Sequence, residues 1–293
     1  MNDKNLKTTG KIFSVNHERL IKTYKRKKVR KYFLFSNLKF PTNSSLLLFV
    51  FLLIGYQSFS QTTENNKSYR FSTVVTATNK GISTIPNLTL GKPAVLFDFV
   101  IGGDRFSFEP SFRFAMEGKP WSFLFWWRYK LVESDKMHFT IGAHPALSFR
   151  RMIVTKNDVT KEDMLLRRIL GAELSPNYSF TKNINVGLYY LYAYGIESDL
   201  SKNTHFINLR TYISNIKLSD QYSLRFSPQF YYLNIDKKDG FYYNLILSMN
   251  KKNFPLSISA LANRAFTTNI TSKKELLWNV SLLYSFNGRF SKM

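Results

Sequence analysis

The chain has 293 residues, a formal net charge of +23, 16% aromatic residues and no cysteine. Without cysteine it holds no disulfide framework, no thiolate metal site and no lipidated N-terminal cysteine. Its length suits one large domain or two small ones.

The first sixty residues differ from the rest. Lys25, Arg26, Lys27, Lys28, Arg30 and Lys31 form a basic cluster, and Leu46 to Tyr56 is a continuous apolar run. Ser58-Phe59-Ser60-Gln61 follows. A basic region, a short apolar core and small residues at −3 and −1 describe a signal peptide cut between Ser60 and Gln61. The run has 11 residues, whereas a helix needs roughly 20 to span a bilayer, which disfavours an uncleaved anchor. Beside an export core, the basic cluster reads as leader rather than as a nucleic-acid patch, so no nucleic-acid partner is expected. The leader carries 12 of the 42 Lys and Arg and 2 of the 19 Asp and Glu. Residues from Gln61 on therefore keep 30 basic against 17 acidic groups, a net +13.

Beyond the leader, period-two alternation dominates. Phe106, Phe108, Pro110, Phe112, Phe114 and Met116 take every second position, with Arg105, Ser107, Glu109, Ser111, Arg113 and Ala115 between them. Strands send alternate side chains to opposite faces, so such a segment has one apolar and one polar face. Twelve strands are expected, the first six at about Tyr69–Thr78, Ala94–Ile101, Arg105–Met116, Trp121–Val132, Met137–Arg150 and Leu166–Phe180. The other six are Ile184–Ile196, His205–Ile216, Tyr222–Ile235, Phe241–Met249, Leu256–Asn263 and Glu275–Phe286. A short helical turn over Lys161–Arg168 is the alternative in the one ambiguous stretch.

The connections have a pattern of their own. Gly102–Asp104, Glu133–Lys136, Thr181–Asn183, Lys217–Gln221 and Asn250–Asn253 are short turns after even-numbered strands. Asn79–Pro93, Arg151–Lys161, Glu197–Thr204, Asp236–Gly240 and Ala265–Lys274 follow odd-numbered ones and are mostly longer. Glu117–Pro120 is short on the long-loop side. Short turns on one rim and longer loops on the other, with an even strand count, fit a bacterial outer-membrane barrel.

The two faces separate a barrel from a soluble sandwich. A sandwich shows water a face rich in Lys and Glu, but here most lysines after the leader fall in connections, Lys130 being the main exception. Arg70, Arg105, Arg113, Arg128, Arg150, Arg210 and Arg225 instead take the polar phase, among Ser, Asn and Gly. Planar guanidinium groups among small polar residues suit a crowded, hydrated interior. The other phase suits hydrocarbon, as in Phe123, Phe125, Trp127, Tyr129 and Leu131. Trp121, Tyr129, Tyr178, Tyr194, Tyr222, Trp278 and Tyr284 lie near strand ends, where amphipathic rings favour a membrane–water boundary.

The last strand ends with Val280, Leu282, Tyr284 and Phe286 on one face. This resembles the C-terminal assembly signal of outer-membrane barrels, although Asn287–Met293 runs past the aromatic. With a leader ending Ser-Phe-Ser before Gln, the chain resembles the outer-membrane β-barrel proteins of Bacteroidetes-like bacteria. The resemblance implies an all-β, antiparallel up-and-down transmembrane barrel in the outer membrane, with the membrane lipid and the barrel-assembly machinery as partners. It implies no particular activity. The expected segments are a leader over residues 1–60, a lead-in over 61–68, a barrel over 69–286 and a tail over 287–293.

Threading the strands alternately puts Asp98, Glu109, Arg128, His144, Glu173 and Arg210 near mid-depth. Arg113 and Arg150 then lie toward the long loops, and Arg105 and Arg225 toward the short turns. Two readings stand: an ion network bracing a small lumen, or a basic passage for small anions, in which Lys130 joins the arginines. The expected function is thus a narrow pore or structural barrel. A closed barrel binding a partner or glycan through its loops is one alternative, and a membrane-embedded lipid hydrolase is another. For the latter, His138, His144 and Ser148 share the polar phase, yet residues four apart on a strand are about 13 Å apart, too far for a direct Ser–His pair. No cofactor or metal is expected, because neither a phosphate-binding glycine loop nor metal-ligand spacing occurs.

Overall fold

The computed structural model describes residues 68–156, 159–271 and 276–291, so the leader, the Ser60–Gln61 cleavage site and most of the lead-in lie outside the described residues. Alternation resolves into twelve strands: β1 (Ser68–Thr78), β2 (Ala94–Gly102), β3 (Phe106–Ala115), β4 (Pro120–Glu133), β5 (Met137–Lys156) and β6 (Val159–Ser179). The others are β7 (Ile184–Gly195), β8 (Thr204–Lys217), β9 (Tyr222–Ile235), β10 (Lys238–Lys251), β11 (Leu256–Thr268) and β12 (Leu277–Ser291). Each pairs antiparallel with its chain neighbours, and β1 pairs with β12, so the sheet is a closed barrel. Closure leaves no strand edge with unpaired N–H and C=O groups.

The closing ladder corrects the expected tail. It runs from Ser68↔Ser291 to Thr78↔Ser281. Residues 287–291 are therefore strand, because the first residues of β1 need partners on that side. A second correction concerns β5 and β6. The loop expected over Arg151–Lys161, and the alternative helical turn over Lys161–Arg168, are instead a continued ladder, with Arg151↔Met164 and Lys156↔Val159. Backbone pairing tolerates charged side chains wherever water reaches them. These strands of 20 and 21 residues far exceed the roughly 9–11 that cross a bilayer. A third difference is the β9–β10 connection, where only residues 236 and 237 separate the strands. Asp236 takes φ 53° there, and its carboxylate accepts the backbone N–H groups of Lys202 (2.9 Å) and Asn203 (2.8 Å).

The outer wall carries the apolar phase. Tyr129, Tyr178, Tyr194, Tyr222, Trp278, Tyr284, Val280, Leu282 and Phe286 are all exposed on it. Neighbouring rings interlock across strands, with Phe112 meeting Phe99, Phe123 and Phe125 at centroid distances of 6.1, 5.3 and 5.9 Å. These edge-on arrangements are the ones ring quadrupoles favour.

Trp121 is the exception to the expected outward set. It is only 4% exposed and lies inside. The ladder pairs Arg113 with Ser122 and Phe114 with Pro120, leaving Trp121 as an extra residue at a bulge. A bulge breaks strict alternation and re-aims a side chain, so Trp121 and Ser122 both turn inward.

Candidate functional site: the barrel lumen

Three layers fill the interior. At the short-turn end is an open vestibule of about 650 Å³, whose lining includes Arg70, Arg105, Lys130, Ser72, Ser107 and Glu109. Arg70 donates to the Gly103 carbonyl at 3.3 Å, and Lys130 lies 3.2 Å from Glu133. Among the described residues, no carboxylate lies within ion-pair distance of Arg105 or Arg225.

The middle layer is a polar network reaching from β3 to β10. Arg128 on β4 donates from Nε to Glu173 Oε1 (2.5 Å) and from Nη2 to Glu173 Oε2 (3.2 Å), while its Nη1 bonds Glu109 on β3. Ser107 donates to Glu109 (2.7 Å), and the Tyr189 hydroxyl donates to Glu173 (2.7 Å). Arg210 on β8 lies over the Tyr189 ring at 4.4 Å and donates to Ser175 at 2.8 Å. Farther round, the Gln229 amide oxygen accepts from Asn208 (2.9 Å) and Asn244 (3.3 Å). Glu173 is 3% exposed and Asn244 1%. Buried ions persist only when paired and hydrogen-bonded. Both carboxylates are bound by Arg128, whereas Arg210, among the described residues, is held by the Ser175 hydroxyl and the Tyr189 ring without an ion pair.

Glycines make the room for this layer. A methyl group at Gly171 would overlap the His144 ring, and one at Gly142 would stand 2.9 Å from Glu173 Oε1. His144 packs against Trp126 with ring centroids 3.8 Å apart, and the Arg128 guanidinium lies over the Trp126 ring at 4.5 Å. His144 Nδ1 is buried without a partner, and among the described residues no hydroxyl hydrogen-bonds His144. Ser148 is buried farther along the same strand. A hydrolase needs a nucleophile within hydrogen-bond reach of its base, and among the described residues none stands there for His144.

The upper layer is the β1–β2 connection, which folds into the barrel mouth. Three walls hold its backbone. Trp121 on β4 donates from Nε1 to the Leu88 carbonyl (2.9 Å), Tyr231 on β9 donates its hydroxyl to Thr84 (3.1 Å), and Asn279 on β12 donates to Lys80 (2.9 Å). Ile85 packs on the buried cluster that contains Phe206, Tyr231, Leu233 and Tyr242. Sequence reasoning treated this segment as an ordinary loop. Its apolar Ile85 and Leu88 in a polar connection were the available signal.

The remaining charges run from Asp98, midway along β2, to the loop end. Arg113 donates from Nε to Ser111 (3.3 Å), which in turn donates to Asp98 (2.5 Å). Arg150 Nη2 is buried without a partner. Arg167, which the strand reading passed over, pairs with Asp199 at 2.5 Å. On the rim, burial by itself raises the Glu197 carboxyl. Hydrogen bonds from the guanidinium and backbone N–H of Arg168 outweigh that and hold it below the ordinary carboxylate value. Among the described residues, no group of three His, Cys, Asp or Glu could hold a metal ion.

Fold and lumen together define a closed twelve-strand barrel, apolar outside and polar within. The sequence matches no protein-family model and no curated protein. Among solved structures it is similar to the NanC porin, at 11% identity and TM-score 0.43 over 75% of this chain and 100% of that one. It is also similar to the KdgM porin, at 11% identity and TM-score 0.44 over 73% of this chain and 99% of that one. An outer membrane channel from Pseudomonas putida F1 shares 10% identity and TM-score 0.43 over 76% of this chain and 97% of that one.

Proposed function

We propose that the protein is an outer-membrane β-barrel passing small solutes, anions preferentially, through a constricted lumen. The carrying observation is the inversion of its two faces. Large apolar side chains such as Trp127, Leu188, Leu209, Phe230 and Leu282 are exposed around the outer wall, while Glu173, Asn208, Gln229 and Asn244 are buried within. Water rejects a continuous apolar wrap of this size, and hydrocarbon accepts it once every backbone group is paired in a closed sheet. The leader expected over residues 1–60 would deliver the chain for export.

Anion preference arises at the mouth rather than the middle. Arg128 is bound to two carboxylates, whereas Arg70 and Arg105 face the vestibule without a carboxylate partner among the described residues, beside Lys130, which pairs with Glu133. A cationic mouth concentrates anions before they meet the narrow part. In planar bilayers, folded protein is expected to conduct, with a reversal potential displaced toward the anion equilibrium value. Arg70→Glu combined with Arg105→Glu is expected to lower the anion-to-cation permeability ratio by about threefold or more, on the scale of such mouth electrostatics. Unaltered selectivity would remove the basic vestibule from the account, and a folded barrel that never conducts would remove passage. That second outcome would favour the other reading, a closed barrel, to which the dense layer around Asn244 and Glu173 lends support.

A further inference from the structure

Beneath the inserted β1–β2 segment lies a separate chamber of about 220 Å³. Its walls include the rings of Trp121, Trp126, Tyr189 and Phe206 and the side chain of Leu191, with Arg113 as a cationic corner. Nothing in the passage of small inorganic ions calls for aromatic walls. A flat, polarizable lining favours a flat apolar body, which rings contact by offset stacking or edge-on packing.

Arg113 supplies the polar end. Its guanidinium lies 5.6 Å from the Trp121 ring centre and, among the described residues, hydrogen-bonds from Nε alone, to Ser111. Ser111 stands between it and Asp98, and among the described residues no carboxylate is within ion-pair distance of Arg113. Both terminal amino groups therefore remain for a planar, bidentate acceptor. The chamber's other arginine, Arg128, is already bound to Glu109 and Glu173. A sulfate or phosphate could use Arg113 and the hydroxyls of Ser122 and Ser148, which also line the chamber, but would leave the aromatic rings without a partner. A neutral hydrocarbon would cover the guanidinium and give it no partner.

We infer that this chamber binds a small aromatic carboxylate, its ring among Trp126, Tyr189 and Phe206 and its carboxylate on Arg113. The inference deepens the passage reading by naming a solute class, and it rests on that reading for its biological use. The test is a titration of the full-length folded barrel in detergent with benzoate, followed by calorimetry and by tryptophan emission, because Trp121 and Trp126 line the chamber. Saturable binding of one benzoate per barrel is expected. Arg113→Gln should weaken it by about tenfold or more, as loss of a charge-assisted pair does. Leu191→Trp, which fills the chamber and leaves Arg113 intact, should abolish it. Heat-modifiable electrophoretic mobility checks that each variant is folded.

Absence of saturable benzoate binding by the folded wild type would overturn the site. Equal binding by Arg113→Gln, or equal affinity for sulfate or for cyclohexanecarboxylate, would overturn the proposed ligand class. Failure of the passage reading is distinguishable, since a barrel that binds benzoate in detergent yet never conducts keeps the site and loses the channel.

Discussion

Arg128→Met is expected to destabilise the barrel by about 3–5 kcal/mol, the usual cost of leaving buried charge without its partner. The substitution keeps an unbranched apolar stem beside Trp126 but strands two carboxylates. Among the described residues, Glu173 would keep the Tyr189 hydroxyl alone, and Glu109 would keep Ser107 alone. Removing the acids as well should recover most of the loss, because a site whose partners are all neutral has no orphaned charge. The triple variant Arg128→Met, Glu109→Gln, Glu173→Gln is therefore expected to be more stable than Arg128→Met alone. Urea-dependent folding into lipid vesicles measures both. The rim pair Arg168–Glu197 is the internal control: with Arg168 at 57% side-chain exposure, its loss should cost no more than about 1 kcal/mol. An Arg128→Met barrel as stable as the wild type would show that the middle layer braces nothing.

Unfastening the inserted β1–β2 segment is expected to raise conductance. Trp121→Phe removes the N–H that reaches Leu88 and leaves a smaller ring in its place, and Tyr231→Phe removes the hydroxyl that reaches Thr84 and keeps the ring. Two neutral hydrogen bonds at about 1 kcal/mol each shift the ratio of displaced to inserted segment by about 30-fold. Tyr231 also accepts from Asn263 at 2.7 Å, so its loss leaves a buried amide short of a partner and adds to the effect. Single-channel records of the double variant should show longer or more frequent open intervals than the wild type. Identical records would mean that the segment does not limit flow.

Alternation is a local property, and what it governs was legible in the sequence. Phe106 to Ala115 declares its outward and inward faces residue by residue, and the closing pair β1–β12 follows from the requirement that no edge remain. Trp121 was misread because a hydrophobic period cannot show where an extra residue enters one strand. Only the partner strand, pairing Arg113 with Ser122 and Phe114 with Pro120, defines that bulge. The extension of β5 and β6 was hidden for a related reason, since Arg151 to Lys161 carries charge wherever the ladder rises past the apolar band. In the lumen, the arginines and acids of the inward phase could be named from sequence. Which of them neutralise one another depends on cross-strand geometry, so the binding of both Glu109 and Glu173 by Arg128 was not visible. The β1–β2 segment was the hardest feature to foresee, for three of its anchors are backbone carbonyls, which leave no trace in side-chain composition, and Ile85 and Leu88 alone hinted at it.

Because the protein lacks cysteine, single cysteines can carry a nitroxide label without background, and labels at Leu188, Leu282 and Ser72 in vesicles give the most direct test. Leu188 and Leu282 are expected to collide readily with oxygen dissolved in lipid and hardly at all with a water-soluble nickel chelate, and Ser72 is expected to show the reverse. Equal access of the chelate to all three positions in lipid-reconstituted protein would contradict the account.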